Sequence, residues 1–450
     1  MKKLTILFGL VMTLALALPG GAHAATFTVD TTADAPDANP GDGVCDDGAG
    51  NCTLRAAIDE ANALAGADTI ALPVGTYTLT DGQLQISDDL TISGAGQATS
   101  FVDGGLVARV FFISSVTVDI SGVTIQNGAI GNADGGGIIN LRGSMTLTDV
   151  TVSSNSASSG GGITNVQGSM TLTNVTVSSN TAANSGGGGI LNVHGVMTLT
   201  NVTVSDNSDT TFAGAGTGGG GITNVGAMEL TNVTVSGNST IGFGGGIVNG
   251  SSLAIGGVMT LTNVTVSGNT ARVDGGGIFN GNGAVTLYNS IIANSTPDNC
   301  AGSSAITSGG HNLEGADSCG FTAPGDLTNT DPLLGPLQDN GGTTETHALL
   351  PGSPAIDAIP VADCTDPLGN PITTDQRGVD RPQGTACDIG AYEFEPPVGG
   401  LVVDLDEAPL SAAQSSGSSA GQLAGTIAGV AALAVALASA AWYIRRRVRT

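Results

Sequence analysis

Through its middle, the chain repeats one pattern of glycine, alternating apolar residues and asparagine. Each copy opens with three glycines and an isoleucine, continues with a segment of the type Met-Thr-Leu-Thr, and ends with Asn-Val-Thr-Val-Ser. Successive isoleucines are 25, 27, 32, 25 and 31 residues apart, a period typical of solenoid proteins. The six openings are Gly135–Ile138, Gly160–Ile163, Gly187–Ile190, Gly219–Ile222, Gly244–Ile247 and Gly275–Ile278.

Within each copy the apolar residues predict two short strands that meet at a corner. Met145 and Leu147 are two residues apart, as are Val150 and Val152, so each pair points to one face of a strand. Since Leu147 and Val150 are three residues apart, the chain must bend between them if both pairs face inward. Adding the strand after the glycines, we expect three strands and three corners per coil, stacked as an all-β parallel solenoid.

Asparagine recurs at three fixed positions of the repeat, which predicts ladders of hydrogen-bonded side chains along the stack. The column after the glycines is Asn140, Asn165, Asn192, Asn224, Asn249 and Asn280. The column at the bend is Asp149, Asn174, Asn201, Asn232, Asn263 and Asn289. The third column is Asn155, Asn180, Asn207, Asn238, Asn269 and Asn294.

The two ends of the chain predict export and membrane attachment. Residues 1–24 have two lysines, a short apolar run and an Ala-His-Ala end, the pattern of a secretory signal peptide. Residues 422–444 are apolar and uncharged, long enough to cross a bilayer, and are followed by a basic tail at 445–450 that we expect in the cytoplasm. The Ser- and Gly-rich stretch 395–421 predicts a flexible linker between the solenoid and this membrane helix.

The charge composition limits the classes of partner that this protein can bind. Between the basic termini the chain has six arginines against all 38 acidic residues, a charge that repels nucleic acid and excludes it as a partner. Glycine supplies 71 of 450 residues, but without the every-third-residue period of collagen.

The six cysteines predict disulfides, because their number is even and the chain is expected to be exported. The simplest of the fifteen possible connectivities joins Cys45 to Cys52, Cys300 to Cys319 and Cys364 to Cys387. A zinc site is the alternative, but no two cysteines have the Cys-x-x-Cys spacing.

The regions before and after the repeats complete the expected organisation. Residues 25–66 form a capping segment, in which Thr53–Ala65 predicts a helix with Thr53 as its N-cap. Residues 67–296 form the β-helix repeats, less regular at first, and residues 297–394 form terminal coils and a disulfide-clasped cap. Such caps protect the open edges of a solenoid.

Three segments resemble known families. Residues 52–62 (CTLRAAIDEAN) resemble the N-terminal CSLREA segment of bacterial secreted β-helix proteins, with departures at Thr53 and Ala56. Asp331–Pro354, Asp375–Arg381 and Asp388–Glu393 look like the C-terminal part of choice-of-anchor β-helix proteins. The repeats are similar to those of polymorphic outer-membrane-protein adhesins, without their FxxN phenylalanine. The resemblance implies a right-handed, pectin-lyase-like β-helix displayed outside the cell.

Because this fold also hosts polysaccharide lyases and hydrolases, we searched for catalytic and metal-binding patterns. Acids in the repeats are scattered rather than aligned on adjacent coils, and the chain after the signal peptide has three histidines, His194, His311 and His347, all expected to be structural or solvated. We therefore predict no catalytic residues. The acidic stretch around Cys45 gives calcium candidates or a solvated loop; the candidate ligands are Asp42, Asp46 and Asp47.

The sequence thus favours a membrane-anchored, non-catalytic surface β-helix that binds glycans or other surfaces. Its contacts are expected on the inserted loops Ser208–Gly218 and Ser251–Gly257. A β-helix lyase or glycoside hydrolase is the first alternative, and a structural envelope spacer is the second.

Overall fold

The computed structural model describes residues 24–184, 186–210, 218–250 and 256–396. These residues form a right-handed parallel β-solenoid, as the repeat predicts. Within the described ranges no helix is long and apolar enough to cross a membrane. The helix predicted at 422–444 lies outside those ranges, as does all but the last residue of the predicted signal peptide.

Three columns of parallel strands form the faces of the solenoid, each named here for its characteristic inward residue. The isoleucine column contains Leu84–Ile86, Phe111–Ser114, Ile138–Leu141, Ile163–Val166, the first parts of Ile190–Ser205 and Ile222–Ser236, then Ile247–Asn249, Ile278–Asn280 and Cys300–Gly302.

The methionine column contains Thr26–Thr28, Asp68–Leu72, Leu90–Gly94, Thr117–Ser121, Ser144–Thr148, Ser169–Thr173, the middle of Ile190–Ser205 and of Ile222–Ser236, the first part of Val258–Ser267, Ala284–Tyr288 and Ile306–Ser308. The valine column contains Gly75–Thr78, Ser100–Asp103, Thr124–Gln126, Thr151–Ser153, Thr176–Ser178, the last parts of the three long strands, Ile291–Ala293 and Leu313–Glu314.

A fourth, shorter column adds to the three strands per coil expected from the sequence. It lies between the third asparagine and the next glycines, where Ser and Thr alternate with small residues and pair along the stack. Its strands are Ala129–Asp134, Ser156–Ser159, Thr181–Ala182, Ser208–Asp209, Ser239–Thr240 and Thr270–Ala271. The apolar alternation gave no sign of it, because these strands are short and the position that stacks from Ile130 to Ala271 is alanine in three coils and aspartate or threonine in two others.

The core runs along the solenoid axis as stacks of identical side chains. In the methionine column Met145 pairs in register with Met170, and the stack continues through the later coils. Five such methionines are at most 2% exposed: Met145, Met170, Met197, Met228 and Met259. Each inward side chain therefore packs on its counterpart above and below, which buries a continuous apolar core.

The corner between the methionine and valine columns depends on one backbone conformation. The bend residues, from Asp149 through Asn289, all have φ of 54–57°, in the left-handed region. Asparagine tolerates this region better than most residues, which explains its recurrence there. The same conformation in every coil keeps both flanking apolar pairs pointing inward.

Glycine is required where neighbouring coils meet closely. A Cβ at Gly161 would lie 2.5 Å from the carbonyl oxygens of both Gly188 and Thr181, and Gly160 has φ +57°. No larger residue fits such a contact without displacing the backbone of the next coil. The triple glycine is thus a packing requirement of the coil.

The segment resembling CSLREA fastens the N-terminal loops to the first coils. The helix spans Leu54–Ala63, and the Thr53 hydroxyl accepts from the Ala56 N–H as its N-cap. Arg55 forms a bidentate pair with Asp34 at 2.7 and 3.1 Å and also donates to the carbonyl of Gln83. The Cys45–Cys52 disulfide, the Arg55–Asp34 pair and the helix together hold residues 25–66 against the solenoid.

Near the end of the described part of the chain, residues 331–394 fold back along the outside of the solenoid and are called the strap here. It contains the antiparallel pair Leu334–Gln338 and Thr346–Leu349 and the 3₁₀ helix Val361–Asp363. Strap residues bond to the outer face of the valine column, for example the Glu345 carbonyl, which accepts from the Thr203 hydroxyl. Three disulfides join Cys45–Cys52, Cys300–Cys319 and Cys364–Cys387, the local pairs considered simplest from the sequence.

Candidate functional site

The asparagine ladder is part of the interior. In the column after the glycines, the Nδ2 of each asparagine before Asn280 donates to the Oδ1 of the next coil, at 2.9 Å from Asn140 to Asn165 and 3.0 Å from Asn165 to Asn192. The links continue to Asn224, Asn249 and Asn280. All six side chains are fully buried, so the column holds coils together and presents nothing to a ligand.

The side chains of the three calcium candidates accept hydrogen bonds from groups within their own turns. Asp46 Oδ1 accepts from the N–H groups of Gly48 and Gly50, and Asp47 binds Asn51 through both carboxylate oxygens. Asp42 accepts from the Val44 N–H. Hydrogen bonds, first from the Asn51 side chain, lower the pKa of Asp47. Within the described residues no three acidic, histidine or cysteine side chains converge as a metal site would require.

The three histidines occupy different environments. His347 is buried, donating from Nδ1 to the Gly335 carbonyl at 2.7 Å and accepting at Nε2 from the Ser236 hydroxyl at 2.8 Å. Burial lowers its pKa, which keeps the ring neutral. This Ser–His pair attaches the strap and is closed to substrates. His194 is exposed within the long strand Ile190–Ser205, where its φ is 53°, and His311 lies at the edge of a groove.

A cluster of buried charges lies inside the strap, in the segments resembling choice-of-anchor proteins. Arg381 binds Glu393 at 2.8 Å, and Arg377 binds Asp375 at 2.8 Å. Burial raises the pKa of Asp388, beside Glu393, to about 7. Its oxygens accept from the backbone N–H groups of Asp357 and Phe394. These partners fix the fold of the strap, so a perturbed carboxyl pKa here reflects burial in a structural cluster.

An open groove lies between the outer face of the methionine column and residues 363–370 of the strap. It consists of two adjoining cavities of about 380 and 310 Å³ that share Asp366 and Pro367. The larger includes Tyr288, His311 and Asp363. The smaller is lined by Glu229, Leu230, Thr231, Thr260, Thr262, Asp366, Pro367 and Leu368.

The groove coincides with two departures from the repeat. In the six coils from Ser144–Thr148 to Ala284–Tyr288, two outward positions flank the inward leucine of each methionine strand, and ten of these twelve positions are threonine. Glu229 replaces threonine between Thr198 and Thr260, and Tyr288 replaces threonine next to Thr262. Glu229 lines the smaller cavity and Tyr288 the larger.

Loop 363–370 is held in place by several bonds. Asp366 accepts from the N–H groups of Leu368 and Asn370 and from the Asn370 side chain. These bonds, the Asn370 side chain first, lower the pKa of Asp366. His311 Nε2 lies 3.4 Å from Asp363 Oδ2, and the Cys364–Cys387 disulfide fixes the start of the loop. The groove therefore has a preformed wall.

The sequence predicts ligand contacts on two inserted loops, and this stays a prediction. Of the loops Ser208–Gly218 and Ser251–Gly257, residues 211–217 and 251–255 lie outside the described ranges. The replacement at Glu229 was visible in the sequence, but its neighbour Asp366 is 137 residues away along the chain and shares no repeat with it. The groove exists only because the strap returns to the solenoid.

Comparison with solved structures shows a similarity in fold. The chain is similar to the crystal structure of pectate lyase Pel9A, with a TM-score of 0.43 and 14% sequence identity, over 83% of this chain and 97% of that one. No family model matches the chain, and no curated protein matches it. At this identity the similarity says nothing about substrate or chemistry.

Proposed function

We propose that this protein is an exported, membrane-anchored β-helix that binds glycans at the cell surface without cleaving them. The resemblance of its ends to CSLREA and choice-of-anchor segments supports export and display, and the apolar stretch 422–444 supports anchoring. The parallel β-helix supplies a rigid scaffold with long outer faces.

The groove beside loop 363–370 is the observation that carries this proposal. It combines threonine hydroxyls, the ring of Tyr288 and a wall fixed by hydrogen bonds, a combination that suits a hydroxyl-rich ligand. By contrast, the strap cluster around Arg381 and the buried His347 are committed to structural contacts. A preformed groove binds with little ordering cost.

A hydrolase or lyase is the second candidate, because Glu229 and Asp366 line one cavity and His311 lies in the adjoining one. Glycoside hydrolases typically use two carboxyl groups that flank the glycosidic bond across a groove. The pKa of Asp366 is lowered, which is opposite to the raised pKa that a catalytic acid needs. Binding is therefore the function that the groove supports better.

The test uses the full chain, purified in mild detergent, with a panel of immobilised neutral, acidic and amino-sugar polysaccharides. We expect retention of the protein on at least one polymer, with no new reducing or unsaturated chain ends. Release of new ends that disappears in Glu229→Thr would establish the enzyme instead. Absence of retention on every polymer would contradict glycan binding and favour a structural spacer.

A further inference from the structure

We propose that the groove beside loop 363–370 recognises an oligosaccharide of amino sugars that carry free ammonium groups. This inference rests on the proposed glycan-binding function and specifies the class of ligand for that site. It is built from the shape of the groove, its aromatic ring, its charges and its relation to the repeat.

The shape of the groove suits a linear chain of sugars. The lining residues Glu229, Thr260, Tyr288 and Gly309 belong to four successive coils of the methionine column. Coils rise by about 4.8 Å, so three steps give a length of about 14 Å along the solenoid. An extended oligosaccharide lying parallel to the solenoid axis would contact all four coils.

Tyr288 gives the larger cavity of the groove an aromatic surface. A Cβ at Gly309 would lie 2.0 Å from the Tyr288 ring, so the glycine of the next coil makes room for that ring. An aromatic ring offers an apolar face to the C–H groups of a sugar and an electron-rich face to a cation. A protonated amino sugar can use both properties at once.

The charges of the groove favour a cation. Glu229 and Asp366 line the smaller cavity, Asp363 and Asp366 line the larger one, and no described lining residue is lysine or arginine. The lowered pKa of Asp366 keeps that carboxylate ionised. The chain as a whole has a formal net charge of −26. A polyuronide would be repelled by this field, whereas ammonium groups would be attracted to it.

The repeat shows that these side chains are additions to the scaffold. Threonine serves the fold at ten of the twelve positions that flank the inward leucines of these six coils, so neither a carboxylate nor a tyrosine is needed for the coil to form. Glu229 is exposed and lies between Thr198 and Thr260, and Tyr288 lies next to Thr262. Both exceptions face the same groove, which is the expected result if the site was added to a regular face.

The experiment measures binding of three hexasaccharides to the full chain in detergent by titration calorimetry. The probes are hexaglucosamine, hexa-N-acetylglucosamine and hexagalacturonate, at about pH 5, where the sugar amines are protonated and carboxylates are mostly ionised. We expect hexaglucosamine to bind at least about tenfold more tightly than the acetylated probe, with an affinity that falls as salt rises. Hexagalacturonate should bind most weakly.

Two variants restore the repeat and should preserve the fold. Glu229→Thr and Tyr288→Thr each place the neighbouring coil's residue in the groove, and we expect each to weaken hexaglucosamine binding by about five- to tenfold. The matched control is the double variant Glu229→Thr with Thr171→Glu. It keeps the net charge but moves the carboxylate two coils away, and it should bind as weakly as Glu229→Thr alone.

The outcomes separate this inference from the proposed function. Glycan binding in which hexaglucosamine is not preferred would overturn the ligand class and leave the proposed function standing. Full hexaglucosamine binding by the charge-balanced double variant would show that overall charge attracts the ligand, and would overturn the groove as its site. Failure of the polysaccharide panel and of all three hexasaccharides would contradict the proposed function itself.

Discussion

The outer face of the valine column is open in some coils and covered in others, although the strand sequences are the same. Thr151 and Thr176 are partly exposed, whereas Thr203, Thr234 and Thr265 are at most 2% exposed. The inward valines of these strands are fully buried in every case. The repeat therefore determines the inner face, and residues far along the chain determine what happens outside.

The covered threonines are bonded to the strap. Thr203 donates to the Glu345 carbonyl at 2.6 Å, and Thr234 donates to the Gln376 side-chain oxygen at 2.7 Å. The Gln376 amide in turn donates to the Thr203 hydroxyl at 2.8 Å, and the Ala391 N–H donates to Thr265. One strap thus converts a hydrated hydroxyl row into a buried polar interface, which stays favourable only while each group keeps its partner.

Removing the cation inside the strap should produce the largest difference in stability between the strap and the open coils. Arg381→Leu should destabilise the strap by about 3–5 kcal/mol, because it leaves the buried carboxylate of Glu393 without its cation. Hydrogen exchange should show the strap opening while the open coils around Thr151 and Thr176 stay protected. Arg142→Leu, at an exposed turn of an open coil, should change stability by no more than about 0.5 kcal/mol. Equal effects of the two variants would contradict a separate role for the strap.

The second effect depends on pH. Because burial raises the pKa of Asp388 from 3.8 to about 7, the folded strap holds a proton that the unfolded chain releases above about pH 4. The contribution of Asp388 to stability therefore falls as pH rises from about 4 to about 7, by on the order of 4 kcal/mol, and is constant above that range.

Comparing the parent chain with Asp388→Asn isolates this contribution. The asparagine cannot titrate, so the difference in strap opening free energy between the two chains should change with pH only between about pH 4 and 7. The stability contribution of His347 depends on pH in the opposite direction, because its lowered pKa costs stability as pH falls below about 6.5. Since His347 is present in both chains, this contribution cancels in the difference between them. A difference that does not vary with pH would show that Asp388 is ionised throughout.

The features that repeat could be predicted from the sequence, because identical residues in register reveal their own neighbours. The bend at Asp149 and its counterparts followed from a three-residue step between apolar pairs, and the ladder from Asn140 onward followed from recurrence alone. The N-cap role of Thr53 followed from helix chemistry and is confirmed. Each of these depends on local or nearest-coil contacts.

The features that occur once could not be predicted in this way. Thr176 and Thr203 have the same flanking sequence, so nothing local distinguishes the open residue from the one bonded to Glu345. Glu229 could be seen as an exception to its column, but its place in a groove depends on where Asp366 docks. Long-range docking of a single-copy segment leaves no period in the sequence.

The smallest effect provides the most direct comparison of the two regions. Thr234→Val should destabilise the strap interface by about 1–3 kcal/mol, because it leaves the buried Gln376 oxygen without a donor. Thr176→Val makes the same change in the same repeat position of an open coil, where water replaces the lost contact, and should change stability by no more than about 0.5 kcal/mol. Hydrogen exchange of the strap measures the first cost, and thermal unfolding of both variants measures any effect on the solenoid. If both substitutions cost the same, the hydroxyl of Thr234 gains nothing from the strap, and burial of that face is packing without polar specificity.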